Sequence, residues 1–316
     1  MQKTELRENR RRGDLFLPIE HYEMLRQDGF HALDCHWHRE MEFFKVVRGE
    51  MQVQAGSSFF RAAPGSLLFF SSEELHAAAP MPGKDCDYRA IVFDPDMMCS
   101  PAGDSVRINF LRPLLSGEVS VPRMFLPEET QAMMAFDRLY DLLEKREGTA
   151  YPLFIKAALL QLFGLLMEKS SRTPENHSRK NGTADQMKSV LSYIGENYRR
   201  PLSLAELSEQ CGLCEGHFCR VFKQYTMKTP VQYINTVRMD AAAQLLRDTD
   251  RKVLDIALDT GFNSVSYFAG VFREYMGIPP TVYRRQARRE KEGRNLAAGG
   301  APRIDREGEM PYTKNT

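Results

Sequence analysis

The 316-residue sequence has no uninterrupted apolar run near the ~18 residues that span a bilayer. Its first residues, MQKTELRENRRRG, are polar and basic, and they lack the apolar stretch of a secretory signal. Six cysteines in such a chain indicate reduced thiols and not a disulfide framework. We therefore expect a soluble, cytoplasmic protein with no membrane partner.

An excess of charge of one sign is also missing, because the formal net charge is only +1. With 42% hydrophobic and 27% charged residues, the composition has no disordered or fibrous signature. The length is enough for two ordinary domains.

One hydrophobic pattern occurs twice near the C-terminus. The first copy is Leu207, Gly212, Phe218, Val221, Phe222, Tyr225, Pro230 and Tyr233, and the second is Ile256, Gly261, Phe268, Val271, Phe272, Tyr275, Pro280 and Tyr283. Each copy predicts a short helix, a turn at the glycine and a second helix with one buried stripe. The second helices are predicted over about Glu215–Thr226 and Ser264–Met276, and a longer helix over about Pro230–Arg247 joins the copies.

Helix-turn-helix pairs of this kind place their second helices in the major groove of DNA, roughly one turn or ~34 Å apart. The outward faces of the two second helices are then the candidate DNA contacts, with Arg220 and Lys223 the strongest. The predicted DNA-binding residues are Glu215, Gly216, Cys219, Arg220, Lys223, Asn263, Ser264, Ser266, Ala269, Gly270 and Arg273.

The segments LSLAELSEQCGL, HFCRVFKQYT and GFNSVSYFAGVFREYMGIPP closely resemble the paired helix-turn-helix domain of AraC/XylS-type transcriptional regulators. Two positions depart from that family's pattern. Met227 stands where a glycine commonly ends the first recognition helix, and Gly270 replaces a larger, often basic residue. The resemblance implies double-stranded DNA, RNA polymerase and a small-molecule effector as partners.

Short extended segments alternate with turn signals from about Leu15 to Pro95, which predicts a meander of strands in a small β-barrel or sandwich. Two amphipathic helices follow, about Glu128–Arg146 and Pro152–Lys169, as a lid or a dimer interface. We expect a sensor and dimerisation domain over 14–169, a linker over 170–185, a DNA-binding domain over 186–288 and a disordered tail over 289–316.

The barrel region carries the pattern His36-x-His38-x3-Glu42, followed later by His76. On one strand His36, His38 and Glu42 share a parity and can converge inside a barrel. The strings HWHREMEFFKVVRG and GSLLFFSSEELH, which contain these four residues, resemble the two cupin motifs. Three imidazoles and a carboxylate suit a divalent metal, and the same four residues, with Arg48, equally suit a pocket for an organic effector such as a carbohydrate.

The sequence leaves two other interpretations open. A metal-dependent cupin enzyme could use the same four ligands, but no further acid, base or nucleophile can be placed beside them. Zinc at Cys211, Cys214, His217 and Cys219 is disfavoured, because these residues fall at a helix end and on different faces of the next helix.

The sequence therefore predicts a two-domain α+β protein. Its N-terminal half is a cupin-like β-barrel with a helical dimerisation pair, and its C-terminal part is an all-α double helix-turn-helix. We expect a homodimeric, ligand-responsive transcriptional regulator and not an enzyme; the alternative is a metal-dependent cupin enzyme or metal sensor joined to a DNA-binding domain.

Overall fold

The computed structural model describes residues 13, 16–26, 33–100, 104–172 and 181–298. Its strands are β1 Ile19–Arg26, β2 Leu33–His36, β3 Met41–Arg48, β4 Met51–Ala55, β5 Ser58–Ala62, β6 Leu67–Phe70, β7 His76–Pro80, β8 Cys86–Phe93, β9 Val119–Ser120, β10 Met124–Phe125 and β11 Ser171–Arg172. Its helices are α1 Arg112–Leu115, α2 Thr130–Lys145, α3 Tyr151–Glu168, α4 Asn181–Asn197, α5 Leu204–Glu209, α6 Glu215–Thr226, α7 Pro230–Asp248, α8 Val253–Asp259, α9 Val265–Met276 and α10 Pro280–Ala298.

The N-terminal strands form two main sheets. One has the strand order β1-β8-β3-β6-β10, and the other has the order β2-β7-β4-β5. The predicted meander is therefore wrong, since only β4 and β5 are neighbours both in the chain and in a sheet. Alternating hydrophobicity locates strands, but it carries no information about which strand pairs with which.

The larger sheet is covered on both faces. Along β3, Phe44 and Val46 face the smaller sheet, whereas Met41 and Phe43 face α2 and α3. This explains why the first four residues of β3 are all buried instead of alternating with exposed ones. The result is two sheets packed face to face, with a layer of helices on the outer face of the larger one.

Helix α3 is long and apolar enough, by length and composition, to cross a membrane. Its residues Leu159, Leu162 and Leu166 are fully buried in the cluster that α3 forms with α2 and the larger sheet. One side of α3 is thus part of the protein core.

The structure divides into two compact units at Val237 and Arg238, inside α7. The first helix-turn-helix belongs to the same unit as the β-sheets, which differs from the predicted domain boundary. The predicted linker is also partly wrong, because residues 181–185 lie in α4 and residues 171–172 in β11. Residues 289–298, predicted to be disordered, continue α10, while residues 1–12 and 299–316 lie outside the described residues.

Candidate effector site and nucleic-acid interface

Four predicted ligands converge inside the barrel. One ligand atom each from His36, His38, Glu42 and His76 lies within 4.8 Å of all the others. His36 ends β2 and is paired across the sheet with His76, the first residue of β7. The predicted convergence is confirmed, but the predicted single strand is wrong: His38 lies in the connection between β2 and β3, which bends before Glu42.

The orientation of each histidine is set by a backbone carbonyl. Nδ1 of His36 lies 2.7 Å from the Asp34 oxygen, that of His38 lies 3.0 Å from the Glu40 oxygen, and that of His76 lies 2.8 Å from the Glu74 oxygen. Because a carbonyl only accepts, Nδ1 is the donor in all three rings. A neutral ring protonated at Nδ1 carries its lone pair on Nε2, and metal-binding histidines are oriented in this way.

Glu42 occupies the centre of this arrangement. Its Oε2 lies 3.3 Å from Nε2 of both His38 and His76. Burial favours the protonated acid, but hydrogen bonds from the two imidazoles outweigh it and hold the pKa of Glu42 well below its usual range. The pKa of His36 is lowered by burial and then by the neighbouring His76 and His38.

If the three imidazoles are neutral, the hydrogen-bond donors and acceptors of this cluster do not match. A hydrogen bond from Nε2 to Glu42 requires His38 or His76 to carry two protons, because Nδ1 is already the donor to a carbonyl. Without that second proton, Nε2 and Oε2 oppose one another as acceptors at 3.3 Å. A divalent cation among the four side chains removes this conflict, so the donor set fits a metal ion.

Apolar side chains pack the space between the two sheets. Phe44 stacks on Tyr88 with ring centroids 4.4 Å apart, and Phe70 stacks on His76 at 4.3 Å. Phe44, Phe70 and Tyr88 all belong to the buried cluster between the sheets. Besides the ligand cluster, the buried polar side chains described in this domain include Gln54 and Ser66.

Arg48 does not join this cluster. It ends β3, six residues after Glu42, and its guanidinium forms a two-bond ion pair with Asp87, with Nε 2.7 Å from Oδ2. The same pair raises the pKa of Arg48. The sequence prediction placed Arg48 in the pocket because it is close to Glu42 in the chain. A strand advances about 3.3 Å per residue, so six residues along β3 separate the two side chains.

The first helix-turn-helix has the predicted form. Ser203 caps α5 by accepting from the Glu206 N–H at 3.1 Å, and Gly212 turns with φ +63°. Helix α6 then has the predicted bounds and ends at Met227, whose φ is +58°. Met227 thus adopts the left-handed conformation for which glycine is normally used.

The second copy repeats the turn and the left-handed helix end, but its serine cap lies on the second helix, α9, and not on the first helix, α8. Ser264 caps α9, Gly261 has φ +90° and Gly277 ends the helix at φ +73°. The aromatic contact is repeated too, because the rings of Phe222 and Tyr233 are 5.5 Å apart at 80°, and those of Phe272 and Tyr283 are 5.5 Å apart at 77°. The predicted structural repeat is confirmed.

The candidate DNA-contacting residues lie on the open faces of these helices. The exposed ones are Glu215, Gly216, Arg220, Lys223, Asn263, Ser264, Ser266, Gly270 and Arg273, and the half-buried ones are Cys219 and Ala269. Sequence reasoning omitted two exposed neighbours, His217 and Tyr267, the latter with 55% of its surface exposed. Tyr267 is adjacent to Phe268 in the buried stripe, and its exposure follows directly from helical periodicity.

The cysteine group near α6 does not converge. Cys211 is buried, with its thiol directed to the Leu207 carbonyl, whereas Cys214 is exposed. Among the described residues, the ligand-bearing side chains that come together are the three histidines and Glu42.

Comparisons with known proteins match both parts of the chain. Residues 22–163 match the family described as AraC-like ligand binding domain, and residues 207–286 match the family described as helix-turn-helix domain. Among structures, the chain is similar to ToxT from Vibrio cholerae, with 14% identity, a TM-score of 0.43, and coverage of 84% of this chain and 97% of that one.

Two sequence relatives match different shares of the chain. The HTH-type transcriptional regulator YdeC of Bacillus subtilis is 24% identical over 257 residues, covering 80% of this chain and 86% of YdeC. The multiple antibiotic resistance protein MarA of Escherichia coli is 36% identical over 107 residues, covering 34% of this chain and 84% of MarA. These matches confirm the predicted regulator and favour it over the enzyme alternative. The chain belongs to the AraC family of transcriptional regulators.

Proposed function

We propose that this regulator senses a divalent transition-metal ion, bound inside the barrel by His36, His38, Glu42 and His76. The observation that carries the proposal is the orientation of the three imidazoles. Each donates from Nδ1 to a carbonyl, and the Nε2 atoms of His38 and His76 face a buried carboxylate. Three imidazole nitrogens and one carboxylate form a donor set that zinc, nickel, iron and manganese ions accept.

The residues have distinct parts in such a site. Glu42, which is 2% exposed, supplies the negative charge that a cation needs in an apolar interior. The histidines bind through Nε2, and their Nδ1 hydrogen bonds to backbone carbonyls hold the rings in a fixed orientation. The ion itself supplies positive charge and nothing else is required of it in a sensor.

An organic effector, such as a carbohydrate, is the second candidate. A sugar needs a cavity lined by several hydrogen-bonding groups, whereas the barrel interior next to the ligands is packed with Phe44, Phe70 and Tyr88. Arg48, the cationic group assigned to that pocket from sequence, is engaged by Asp87. These contacts favour the ion.

We further propose that α6 and α9 enter successive major grooves of double-stranded DNA. Arg220 and Lys223 are exposed on α6, and Ser266 and Arg273 are exposed on α9. Arginine reads guanine edges through two parallel bonds, and lysine contacts phosphates. Gly270 offers no side chain, so α9 contributes more to position than to base readout.

The assembly is proposed to be a homodimer that acts in the cytoplasm and contacts RNA polymerase. Helices α2 and α3 each leave large apolar side chains in solvent, with Met134 71%, Leu153 72% and Phe154 53% exposed. Exposed apolar side chains on adjacent helices are a usual basis for a symmetric dimer interface.

Elemental analysis of the full-length protein tests the metal proposal. The protein is purified anaerobically without chelators, beside a His36→Ala/His38→Ala double variant and an Arg48→Ala control. Near-stoichiometric metal in the wild type and the control, but not in the double variant, is expected. If the wild type contains no metal and a sugar raises its melting temperature in a thermal-shift panel, the site is assigned to an organic effector instead.

A further inference from the structure

Strand β2 contacts the first helix-turn-helix directly. The Asp34 carboxylate pairs with Lys228, with Oδ1 2.7 Å from Nζ. The thiol of Cys35 donates to the Tyr225 carbonyl at 3.0 Å, and the Tyr233 hydroxyl donates to the Cys35 carbonyl at 3.2 Å. These contacts connect the sensor barrel to the end of α6 and the start of α7.

The same strand carries a ligand of the effector site. Nδ1 of His36 donates to the carbonyl of Asp34 at 2.7 Å. Asp34 therefore contacts His36, one of the four proposed ligands, through its backbone, and it contacts Lys228 through its side chain. The pairing of β2 with β7 shifts register between Leu33 and His36. Such an irregularity interrupts the simple alternation of faces. Asp34 and His36, which a regular strand would place on one face, here contact Lys228 and His76 respectively.

Lys228 is well placed to report a movement of β2. It is 6% exposed and lies two residues beyond α6, directly after the left-handed Met227. Its Nζ also donates to Thr236 on α7 at 2.7 Å. A buried ammonium needs a partner charge, so separating Asp34 from Lys228 leaves a group that must reorganise or become solvated.

We propose that the Asp34–Lys228 pair is a latch through which occupancy of the His36–His38–Glu42–His76 site controls the freedom of α6. The inference rests on the metal proposal above. With its Nε2 engaged, His36 keeps its ring and the Asp34 carbonyl in place, which favours the latched arrangement. With Nε2 unengaged, His36 and the Asp34 backbone are less constrained, and α6 is held less firmly. By linkage, DNA that prefers one arrangement also changes the affinity for the ion.

The experiment measures DNA affinity with and without a divalent ion, using full-length protein. The DNA is the duplex that wild-type protein selects from random sequence, and the ions are Zn²⁺, Ni²⁺ and Mn²⁺ in turn. The test variants are Asp34→Asn and Lys228→Met. Asp87→Asn, which breaks an exposed ion pair elsewhere in the barrel, and Thr236→Val, which removes the bond between Lys228 Nζ and Thr236, are the controls.

We expect the ion to change the Kd for DNA by about 5-fold or more in the wild type and both controls, the usual lower range of allosteric coupling. In the latch variants the ratio falls toward one, while calorimetry still detects ion binding. A wild-type ratio retained in Asp34→Asn overturns the latch, as does a wild type that binds ion without any change in Kd. Asp34→Asn decides the matter if Lys228→Met does not fold, because it leaves the Lys228–Thr236 bond intact.

Absence of ion binding in the wild type gives a different result. It rejects the metal proposal itself, and the latch with it, before any DNA is added. The two failures are therefore distinguished by calorimetry on the protein alone.

Discussion

Asp34 and Lys228 are 194 residues apart in the chain, yet Oδ1 and Nζ lie 2.7 Å from one another. Asp34 belongs to the strand that carries His36, and Lys228 follows the first recognition helix. This ion pair connects the proposed DNA-binding unit to a residue two positions from His36 in the proposed effector site. It is one of several contacts between the β-strands and the first helix-turn-helix within one compact unit.

A bound divalent ion is expected to stabilise the fold. A ligand present at 100 times its Kd adds about 2.7 kcal/mol to the free energy of unfolding, which thermal or urea unfolding detects and a chelator reverses. Glu42→Gln keeps the shape of the side chain but removes the charge, and it should abolish the gain. Glu23→Gln, on an exposed part of β1, should preserve it; the same gain in Glu42→Gln would argue against the site.

Arg220 and Lys223 are expected to differ in what they contribute to DNA binding. If Arg220 reads a guanine, Arg220→Ala costs about 1–3 kcal/mol and relaxes specificity at one base pair, whereas Lys223→Ala weakens binding on all sequences and lowers the salt slope by about one. Fluorescence anisotropy over a range of salt concentrations measures both. Arg61→Ala, an exposed arginine on the barrel, should leave both quantities unchanged. Wild-type affinity and specificity in both α6 variants would exclude this helix from the interface.

Gly270→Ala should stabilise the protein. A Cβ at this exposed helical position meets nothing within 4 Å, and glycine inside a helix costs about 0.5–1 kcal/mol relative to alanine. Gly212→Ala is the matched opposite, because its surroundings are equally open but its φ is +63°. That change should destabilise by about 1–2 kcal/mol. Urea unfolding monitored by circular dichroism compares the two, and shifts of the same sign would contradict the backbone argument.

Glu206 is expected to make the stability of the first helix-turn-helix depend on acid pH. Hydrogen bonds from Arg200 and then Tyr193 lower the pKa of Glu206 from its ordinary value of 4.5 to about 2. A carboxylate with a lowered folded-state pKa stabilises the fold fully above pH 4.5, and this contribution disappears as the pH falls through about 2. The difference in urea midpoint between wild type and Glu206→Gln should therefore shrink over that range.

The control for this pH series is Glu209→Gln, which changes an exposed carboxylate at the end of the same helix. It should not reproduce the pH-dependent difference. A Glu206→Gln difference that stays constant from neutral pH to pH 2 would show that the hydrogen bonds do not discriminate between the two protonation states.

Local signals located most of the DNA-binding elements. The stripe Phe218, Phe222 and Tyr225 predicted α6 with its observed bounds, and Gly212 predicted the left-handed turn. Both features depend on residues a few positions apart, so helical periodicity and backbone sterics are sufficient. The same reasoning failed for the meander and for the boundary of the linker, where partners distant in sequence decide the structure.

The candidate effector site shows most clearly which features depend on the sequence alone and which depend on the tertiary structure. The sequence alone determined that His36, His38, Glu42 and His76 are ligand types at suitable spacings, and that two helix-turn-helix units follow. Only the tertiary structure decided that Arg48 forms an ion pair with Asp87, that three carbonyls orient the imidazoles, and that Asp34 forms an ion pair with Lys228. Residue type and local period are properties of neighbouring positions, whereas the partner of a charge depends on which strands and helices the packed core brings together.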